Sequence, residues 1–248
     1  MKPIIPKTHP RAKSLYIREK LVHAFDLGLV AKEGLMAHGR GEAFDYLIGE
    51  KTSKAAKNAI KAAASMLLLA KTPVISVNGN IAGLCPKEIV ELAHASGAKI
   101  EINLFYSSKK RKQNILRILR KNGASMILGM DKKDSAKLSG LDSARRIVDK
   151  NGIYVADVVV VPLEDGDRTL ALKRAGKKVI TFDLNPLSRT AQTADVTIVD
   201  NVVRGIQELI TACRKTKNPS KTPFDNKKNL ADSIIEIRNN LTRRAFHA

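Results

Sequence analysis

The sequence contains no tryptophan, and aromatic residues make up only 4% of its 248 residues. A core must therefore be packed from aliphatic side chains and alanine, and a hydrophobic fraction of 44% is enough to build a substantial one. Cysteine is also scarce, because Cys85 and Cys213 stand far apart and belong to no Cys-x-x-Cys or Cys/His cluster. We therefore expect two incidental buried thiols, as is usual in a reducing compartment such as the cytoplasm.

Long hydrophobic runs are missing as well. The longest, Ala62–Ala70, is too short to span a bilayer, and residues 1–7 lack the apolar region of a signal peptide. The P-loop pattern GxxxxGK[ST] and the catalytic patterns GxSxG and HExxH do not occur either. The sequence thus predicts a soluble, cytoplasmic protein without a P-loop, a serine-hydrolase site or a metal centre built from protein ligands.

Acidic residues are outnumbered, because 24 Asp and Glu stand against 44 Lys and Arg, for a net charge of +20. A basic surface attracts nucleic acid, whereas a basic cleft binds small polyanions such as ATP and a phosphorylated acid. The most basic stretch, residues 107–121, has no acidic residue, but it also lacks the interleaved aromatic residues of many RNA-binding modules. Charge alone favours nucleic acid, and the motifs that follow the predicted strands reverse that order.

Hydrophobic patterning predicts an α/β fold. Before residue 73 the spacing indicates helices, the second of them beginning near Gly41. From there on, helical stretches alternate with short apolar runs that lack period-two alternation, which is typical of a parallel sheet covered on both faces. The runs lie at 73–77, 99–103, 125–129, 156–161, 178–182 and 196–199.

These elements predict a Rossmann-like, doubly wound, mainly parallel sheet of about six strands. We expect one globular unit with an N-terminal helical region (1–72), a nucleotide-binding core (73–216), and a linker with a C-terminal helix (217–248). Helical arms at both ends of such a core often pack on a symmetric partner, so a homodimer is expected.

Ligands of open parallel sheets bind beyond the carboxyl ends of the strands. Asn78 and Asn80 follow the first predicted strand with a glycine between them, which indicates either a plain tight turn or a ligand contact. Glu164, Asp165 and Asp167 follow the fourth strand. Carboxylates favour the start of a helix, but these could equally hold Mg²⁺ or the ammonium group of a substrate.

The fifth predicted strand is followed by the best nucleotide site that the residues alone indicate. Asp183 is placed to accept hydrogen bonds from a ribose. Pro186 suits the first turn of a helix whose free N–H groups attract phosphate, and Arg189 could reach the same anion. A capped helix with a surface arginine is the alternative. Asp200 and Asn201 add a polar pair after the last strand.

Two basic segments lie outside the predicted sheet. In His38-Gly39-Arg40-Gly41-Glu42 the glycines permit a close approach, and the guanidinium can fork a phosphate. The Gly-x-Gly follows no strand, so it is not a dinucleotide fingerprint. Residues 7–11 are similarly basic, with a solvated arm as the alternative.

Taken together, these segments resemble the archaeal phosphopantothenate synthetase (4-phosphopantoate–β-alanine ligase) family. The resemblance rests on residues 6–10, 34–49, 73–80, 162–168, 183–191 and 198–201, which follow the family's order across most of residues 3–205. It implies a Rossmann-like homodimer that uses ATP and Mg²⁺ to activate the carboxylate of 4-phosphopantoate as an acyl-adenylate. The amine of β-alanine then attacks, and no dedicated nucleophile is needed.

The resemblance also implies residue roles. It assigns ATP to Arg18, Arg40, Asp183, Leu184, Asn185, Arg189, Thr190, Asp200 and Asn201. It assigns the acid and amine substrates to Lys7, His9, Asn78, Asn80, Lys109 and Arg111, and the chemistry to Arg40, Asn78, Glu164 and Asp165. One departure stands out, because this chain has Tyr106-Ser107 where the family has a His-Arg pair after Asn-Leu-Phe. Lys109 or Arg111 is expected to supply that charge.

Two other functions remain open from the residues. One is another Rossmann-type nucleotide-binding enzyme such as an oxidoreductase, although the glycine fingerprint is missing. The other is a basic nucleic-acid-binding protein. The ligase hypothesis predicts small-molecule substrates, with neither a specific nucleic acid nor a membrane as partner.

Overall fold

Helices make up the first part of the chain in the computed structural model, which describes residues 5–6, 8–9 and 11–245. They are α1 (Ala12–Asp26), α2 (Lys32–Ile48) and α3 (Lys54–Leu69). The predicted start of the second helix near Gly41 is wrong by more than two turns. Glycines at 34 and 39 lower the local helix propensity, but packing beside the sheet outweighs it, and Asn80 Nδ2 donates to the carbonyl oxygen of Gly34 at 2.8 Å.

The strands confirm the predicted α/β class. They are β1 (Pro73–Val77), β2 (Lys99–Ile102), β3 (Ile127–Leu128), β4 (Ser135–Lys137), β5 (Ile147–Asp149), β6 (Val158–Val160), β7 (Lys178–Phe182) and β8 (Val196–Ile198). Six of them form a parallel sheet in the order β3-β2-β1-β6-β7-β8. This is the strand order of a doubly wound Rossmann sheet. Strands β4 and β5 form a separate antiparallel pair, which was not predicted.

The remaining helices connect and cover these strands. They are α4 (Gly79–Leu84), α5 (Pro86–Ser96), α6 (Lys109–Lys121), α7 (Gly166–Arg174), α8 (Arg189–Thr193), α9 (Val202–Lys215) and α10 (Asn226–Ala245). Of the two alternatives for the segment after β1, the plain turn is not what the structure has, because Asn78 Oδ1 accepts from the Ile81 backbone N–H at 3.0 Å and caps α4. Pro186 lies before a helix rather than in its first turn, since Ser188 caps α8.

Alternate residues of the central strands enter two separate cores. Ile75 and Ile180 pack with α3, α5 and α9 on one face, while Val74 and Val179 pack with α7 and the β4–β5 pair on the other. Both cysteine thiols are free and buried, and burial raises the pKa of Cys85 to about 12. Within the described part of the chain, no helix has the length and apolar character needed to cross a membrane.

Candidate active site

A cavity of about 670 Å³ lies where the chain order of the parallel strands reverses. Strands β1 and β6 are neighbours at this point, and the segments that follow them diverge to open a crevice. Residues that follow β2, β1, β6, β7 and β8 all reach the cavity, and α2 forms the opposite wall.

Asn78 ties the end of β1 to the loop after β6. Its Nδ2 donates to the carbonyl oxygens of Pro162, at 2.9 Å, and Leu163, at 3.2 Å. Leu163 has a φ of 54°, a left-handed conformation that is uncommon outside glycine and asparagine. Both N–H groups of the Asn78 amide are therefore used to fix the backbone that carries Glu164 and Asp165 to the cavity.

Glu164 lies between two arginines. Its side chain is 1% exposed and forms ion pairs with Arg145 and Arg168. Arg168 is fully buried, and its Nη2 also donates to Ser76 Oγ at 3.0 Å. Burial, and after it the neighbouring charge of Arg168, together lower the pKa of Arg145 to about 9. Glu164 thus neutralises buried positive charge, whereas Asp165 caps α7 at Arg168 N and is more open to the cavity.

Asp183 occupies the carboxyl end of β7. Its Oδ1 accepts from the Asn185 backbone N–H at 2.9 Å, and its Oδ2 accepts from Ser188 Oγ. Burial raises the pKa of Asp183, while these hydrogen bonds and the charge of Arg40 oppose that rise. Thr190 Oγ1 donates to the carbonyl oxygen of Glu164 at 3.0 Å and so joins this side of the cavity to the β6 loop.

The N-terminal segment approaches the cavity closely. A side chain at Gly79 would collide with the carbonyl oxygen of Leu29, and one at Gly34 would collide with Asn80 Oδ1. These glycines therefore let α2 and the loop before it cover the end of β1. His38 also lines the cavity, and burial lowers its pKa, so its imidazole is neutral near pH 7.

An ion-pair network stands behind the last strand. Arg204 Nη2 lies 2.6 Å from Asp45 Oδ1 and 2.6 Å from Asp200 Oδ1. Asn201 Nδ2 donates to Asp45 Oδ2 at 3.0 Å, and Thr52 Oγ1 donates to Asp200 Oδ2 at 2.7 Å. The Asp200 side chain is buried in this network, whereas Asn201 lines the cavity.

The structure brings most of the predicted site residues to one cavity. Those that line it are Arg40, Asn78, Asn80, Arg111, Glu164, Asp165, Asp183, Leu184, Asn185, Thr190 and Asn201.

The other predicted residues that the structure describes do not line this cavity. Arg18 pairs with Glu42 at 2.7 Å beside a smaller cavity of about 340 Å³ between α1 and α2. Arg189 is exposed and bonded to Asp167. His9 and Lys109 are exposed, Asp200 lies in the network behind β8, and Lys7 lies outside the described residues.

Sequence reasoning missed Arg145, which lines the cavity although it follows no strand of the main sheet. It lies just before β5, and Asn103 Nδ2 donates to its carbonyl oxygen at 3.3 Å. The guanidinium lies over the ring of Phe105, with its carbon 5.7 Å from the ring centroid. The two adjacent arginines at 145 and 146 are the one signal in this segment, and such a pair does not by itself point to a cavity.

Carboxylates at the cavity do not form a ready metal centre. Among residues 5–6, 8–9 and 11–245, no group of three or more His, Cys, Asp or Glu side chains is arranged to hold a metal ion. Glu164 is paired with arginines, and Asp183 accepts two hydrogen bonds from its own loop.

The strand order and the cavity at its reversal point define a doubly wound α/β protein of the Rossmann class. The chain belongs to the phosphopantothenate/pantothenate synthetase family, whose model matches residues 55–240. This confirms the resemblance seen in the sequence motifs.

Curated relatives are similar over nearly the whole chain. A protein of Thermococcus kodakarensis is 53% identical, covering 97% of this chain and 95% of its own length. A protein of Methanosarcina mazei is 46% identical, covering 97% of both chains. Both are named 4-phosphopantoate–β-alanine ligase.

Proposed function

We propose that this protein is an ATP-dependent ligase that joins (R)-4-phosphopantoate to β-alanine, giving 4′-phosphopantothenate for coenzyme A biosynthesis. The observation that carries the proposal is the 46–53% identity to relatives of that name over 97% of the chain. The cavity supports it, because its polar and cationic lining at the switch point of a Rossmann sheet suits a nucleotide and a second anion.

The nucleotide belongs, in this proposal, at the side of the cavity formed after β7 and β8. Asp183 offers carboxylate oxygens to the ribose, Leu184 offers apolar surface, and Asn185, Thr190 and Asn201 complete this side. Arg40 faces the same cavity from α2 and would neutralise phosphate charge. Arg18, Arg189 and Asp200 would not contact ATP in this arrangement. They would position the segments to which they are ion-paired, through Glu42, Asp167 and Arg204.

The acid and the amine belong at the side formed after β1, β2 and β6. Asn80 and Arg111 line it, and Asp165 is the cavity carboxylate best placed to receive an ammonium group. Asn78 and Glu164 then serve by positioning, because their polar atoms already bind the β6 loop and the buried arginines. Lys109 would contribute only long-range charge in this arrangement, and His9 is exposed. Lys7 stays a proposed contact of the acid substrate.

The reaction proceeds through an acyl-adenylate in our proposal. A carboxylate oxygen of 4-phosphopantoate attacks the α-phosphorus of ATP, the bond to the β-phosphate breaks, and pyrophosphate leaves. The neutral amine of β-alanine then attacks the acyl carbon, AMP leaves with the bonding electron pair, and the amine proton passes to solvent or a cavity base. The protein orients two anions and neutralises developing charge, so no covalent enzyme intermediate is required.

Magnesium fits this site only in part. Mg²⁺ usually keeps several waters and binds one or two carboxylates together with substrate phosphates. Asp165, the least committed carboxylate of the β6 loop, is already given to the ammonium group in this proposal, so the triphosphate and water would supply most of the ligands of the ion. The ion would supply charge neutralisation at the phosphates.

A homodimer is also part of the proposal. Apolar side chains on the outer surface of α10, among them Ile235 and Leu241, are 45% and 44% exposed. Sedimentation velocity at micromolar concentration tests this, with a monomeric species as the contrary result.

The activity is tested by incubating the protein with ATP, Mg²⁺, 4-phosphopantoate and β-alanine and identifying the products by mass spectrometry. Phosphopantothenate with AMP supports the adenylate route, phosphopantothenate with ADP requires an acyl-phosphate instead, and no condensation overturns the ligase. Carboxyl-¹⁸O-labelled 4-phosphopantoate sharpens the test, because the adenylate route transfers one ¹⁸O into AMP.

A further inference from the structure

The Arg145 guanidinium is buried at the cavity with part of its hydrogen-bonding capacity unused. The residue is 8% exposed, and its Nη1 contacts the carboxylates of Glu164 and Asp165. Its buried Nε has no acceptor among the residues that the structure describes. An arginine presents five N–H donors in a planar fork, so this one retains donors for a further partner.

Arg111 supplies a second guanidinium to the same side of the cavity. Its Nη2 donates to the carbonyl oxygen of Leu29 at 3.0 Å, and its Nη1 donates to that of Tyr106. Its buried Nε lacks an acceptor within the described chain. Both known partners of Arg111 are neutral carbonyl groups, so its charge is not balanced by a contacting carboxylate.

Positive charge is therefore in excess on this side of the cavity. Arg145 and Arg168 share the Glu164 carboxylate, and Asp165 is engaged both with Arg145 and as the cap of α7. Arg111 and Arg168 each lower the pKa of Arg145 beyond the effect of burial, as expected where like charges face one another. A bound anion would relieve this repulsion.

The order of strands in the sheet places this excess away from the proposed nucleotide. Arg145 lies over Phe105, which follows β2, whereas Asp183 and Asn201 follow β7 and β8 beyond the central pair. In 4-phosphopantoate the carboxylate and the phosphate are at opposite ends of the carbon chain. If the carboxylate must meet the nucleotide, the phosphate points towards Phe105 and the two arginines.

We propose that Arg145, together with Arg111, binds the phosphate monoester of the acid substrate and is the residue by which this site selects the phosphorylated acid over the unphosphorylated one. The planar fork of a guanidinium matches two phosphate oxygens, which a lysine ammonium does not. The inference rests on the proposed function, because it assumes that the acid's carboxylate faces ATP.

The test measures dissociation constants of 4-phosphopantoate, pantoate and ATP by calorimetry for the unaltered protein, Arg145→Lys and Arg146→Lys. Arg146 is the adjacent, exposed arginine and provides a matched control. Loss of a hydrogen-bonded charged contact corresponds to roughly ten- to a hundredfold in affinity. We expect Arg145→Lys to raise the Kd of 4-phosphopantoate by that factor and to change the Kd of ATP by less than about threefold. The Kd values of the phosphorylated and unphosphorylated acids should then become similar.

A purely structural role for Arg145 gives a different pattern, in which Arg145→Lys weakens both acids and ATP alike or lowers the melting temperature without changing the preference for the phosphate. Either pattern, or an unchanged preference, overturns the inference and leaves the ligase intact. An unaltered protein that binds no 4-phosphopantoate overturns both.

Competition by inorganic phosphate gives a second measurement on the same proteins. In the unaltered protein and in Arg146→Lys, phosphate should raise the apparent Kd of 4-phosphopantoate but not that of pantoate. This competition should require at least tenfold more phosphate in Arg145→Lys. Equal competition in all three proteins would place the phosphate elsewhere.

Discussion

At the scale of single residues, Asp183 is a buried carboxylate that accepts two hydrogen bonds from its own loop. Two groups of its own loop, Asn185 N and Ser188 Oγ, hold the carboxylate at the end of β7. An acceptor fixed in this way needs little reorganisation when a ligand hydroxyl arrives, which is why we assign it to the ribose.

We expect Asp183→Ala to raise the Kd of ATP by about ten- to a hundredfold, since a charged hydrogen bond to the ligand is lost. Calorimetry with ATP checks this. Asp134→Ala, at an exposed position beside β4, is the matched control and should bind ATP normally. Normal ATP affinity in Asp183→Ala would contradict our placement of the nucleotide.

Residues of the cavity differed in how far the sequence could reveal them. Asn78, Glu164 and Asp183 were predictable because each follows a parallel strand, and the carboxyl ends of such strands share one edge. Arg145 was not, because it reaches the cavity through contacts with Glu164 and Phe105 that have no local sequence pattern. Nor could the sequence show that Glu164 would be paired with arginines.

At the scale of elements, Arg204 ties α2 to the start of α9. The Arg204 side chain is 28% exposed, and its guanidinium joins Asp45, whose side chain is 7% exposed, to the buried Asp200. Removing one partner of a buried ion pair leaves charge without compensation.

Arg204→Ala should therefore lower the free energy of unfolding by about 3 kcal/mol. Urea denaturation followed by circular dichroism measures it. The comparison is Arg214→Ala, which removes an exposed pair with Glu91 at 3.2 Å and should cost less than about 1 kcal/mol. Equal effects of the two changes would show that the network contributes no more than a surface ion pair.

Glu101 joins β2 to the segment after β5. Its carboxylate accepts from the backbone N–H groups of Asp149, at 3.0 Å, and Ile153, at 2.6 Å. Burial raises the pKa of Glu101 to about 7, against an ordinary value of 4.5, although these hydrogen bonds and Arg168 oppose the rise.

The folded protein thus takes up a proton at Glu101, and the stabilisation from that proton is present below about pH 4.5 and lost as the pH rises through about 7. The loss is on the order of 3 kcal/mol at most. We expect the unfolding free energy of the unaltered protein, relative to Glu101→Gln, to fall across this window in urea titrations. A difference that does not change with pH would show that Glu101 does not titrate there.

Most element boundaries could be predicted from the sequence, because apolar runs and helix caps are local signals. The first half of α2 could not, since its glycines argue against a helix and its contact with Asn80 is distant in the sequence. The β4–β5 pair was missed because its strands are three residues each and carry little hydrophobic pattern.

At the scale of the whole molecule, a net charge of +20 surrounds a cavity that we assign to small anions. The α/β fold class and the number of strands in the main sheet could be predicted from the sequence. The neighbours of each strand could not, because hydrophobic runs do not encode strand order. Charge by itself favoured nucleic acid, and only the motifs that follow the strands turned the prediction to small polyanions.

We expect the protein to bind a 20-base-pair DNA duplex weakly and without sequence preference, because the attraction comes from dispersed lysines and arginines. Raising KCl from about 50 to 200 mM should weaken it at least tenfold. Fluorescence anisotropy checks this, and Asp183→Ala should behave like the unaltered protein. Tight binding to one sequence that persists at 200 mM salt would revive the nucleic-acid hypothesis.

Helix α3 packs against β8, α9 and α10, which all come much later in the chain. On the ribosome, α3 is therefore made long before the surface that covers it. At about 5–20 residues per second the intervening chain takes on the order of 10 s to synthesise. Throughout that time the part of α3 that these later elements cover stays open to chaperones and other emerging chains, and the cavity is completed only when Asn201, after β8, has been made.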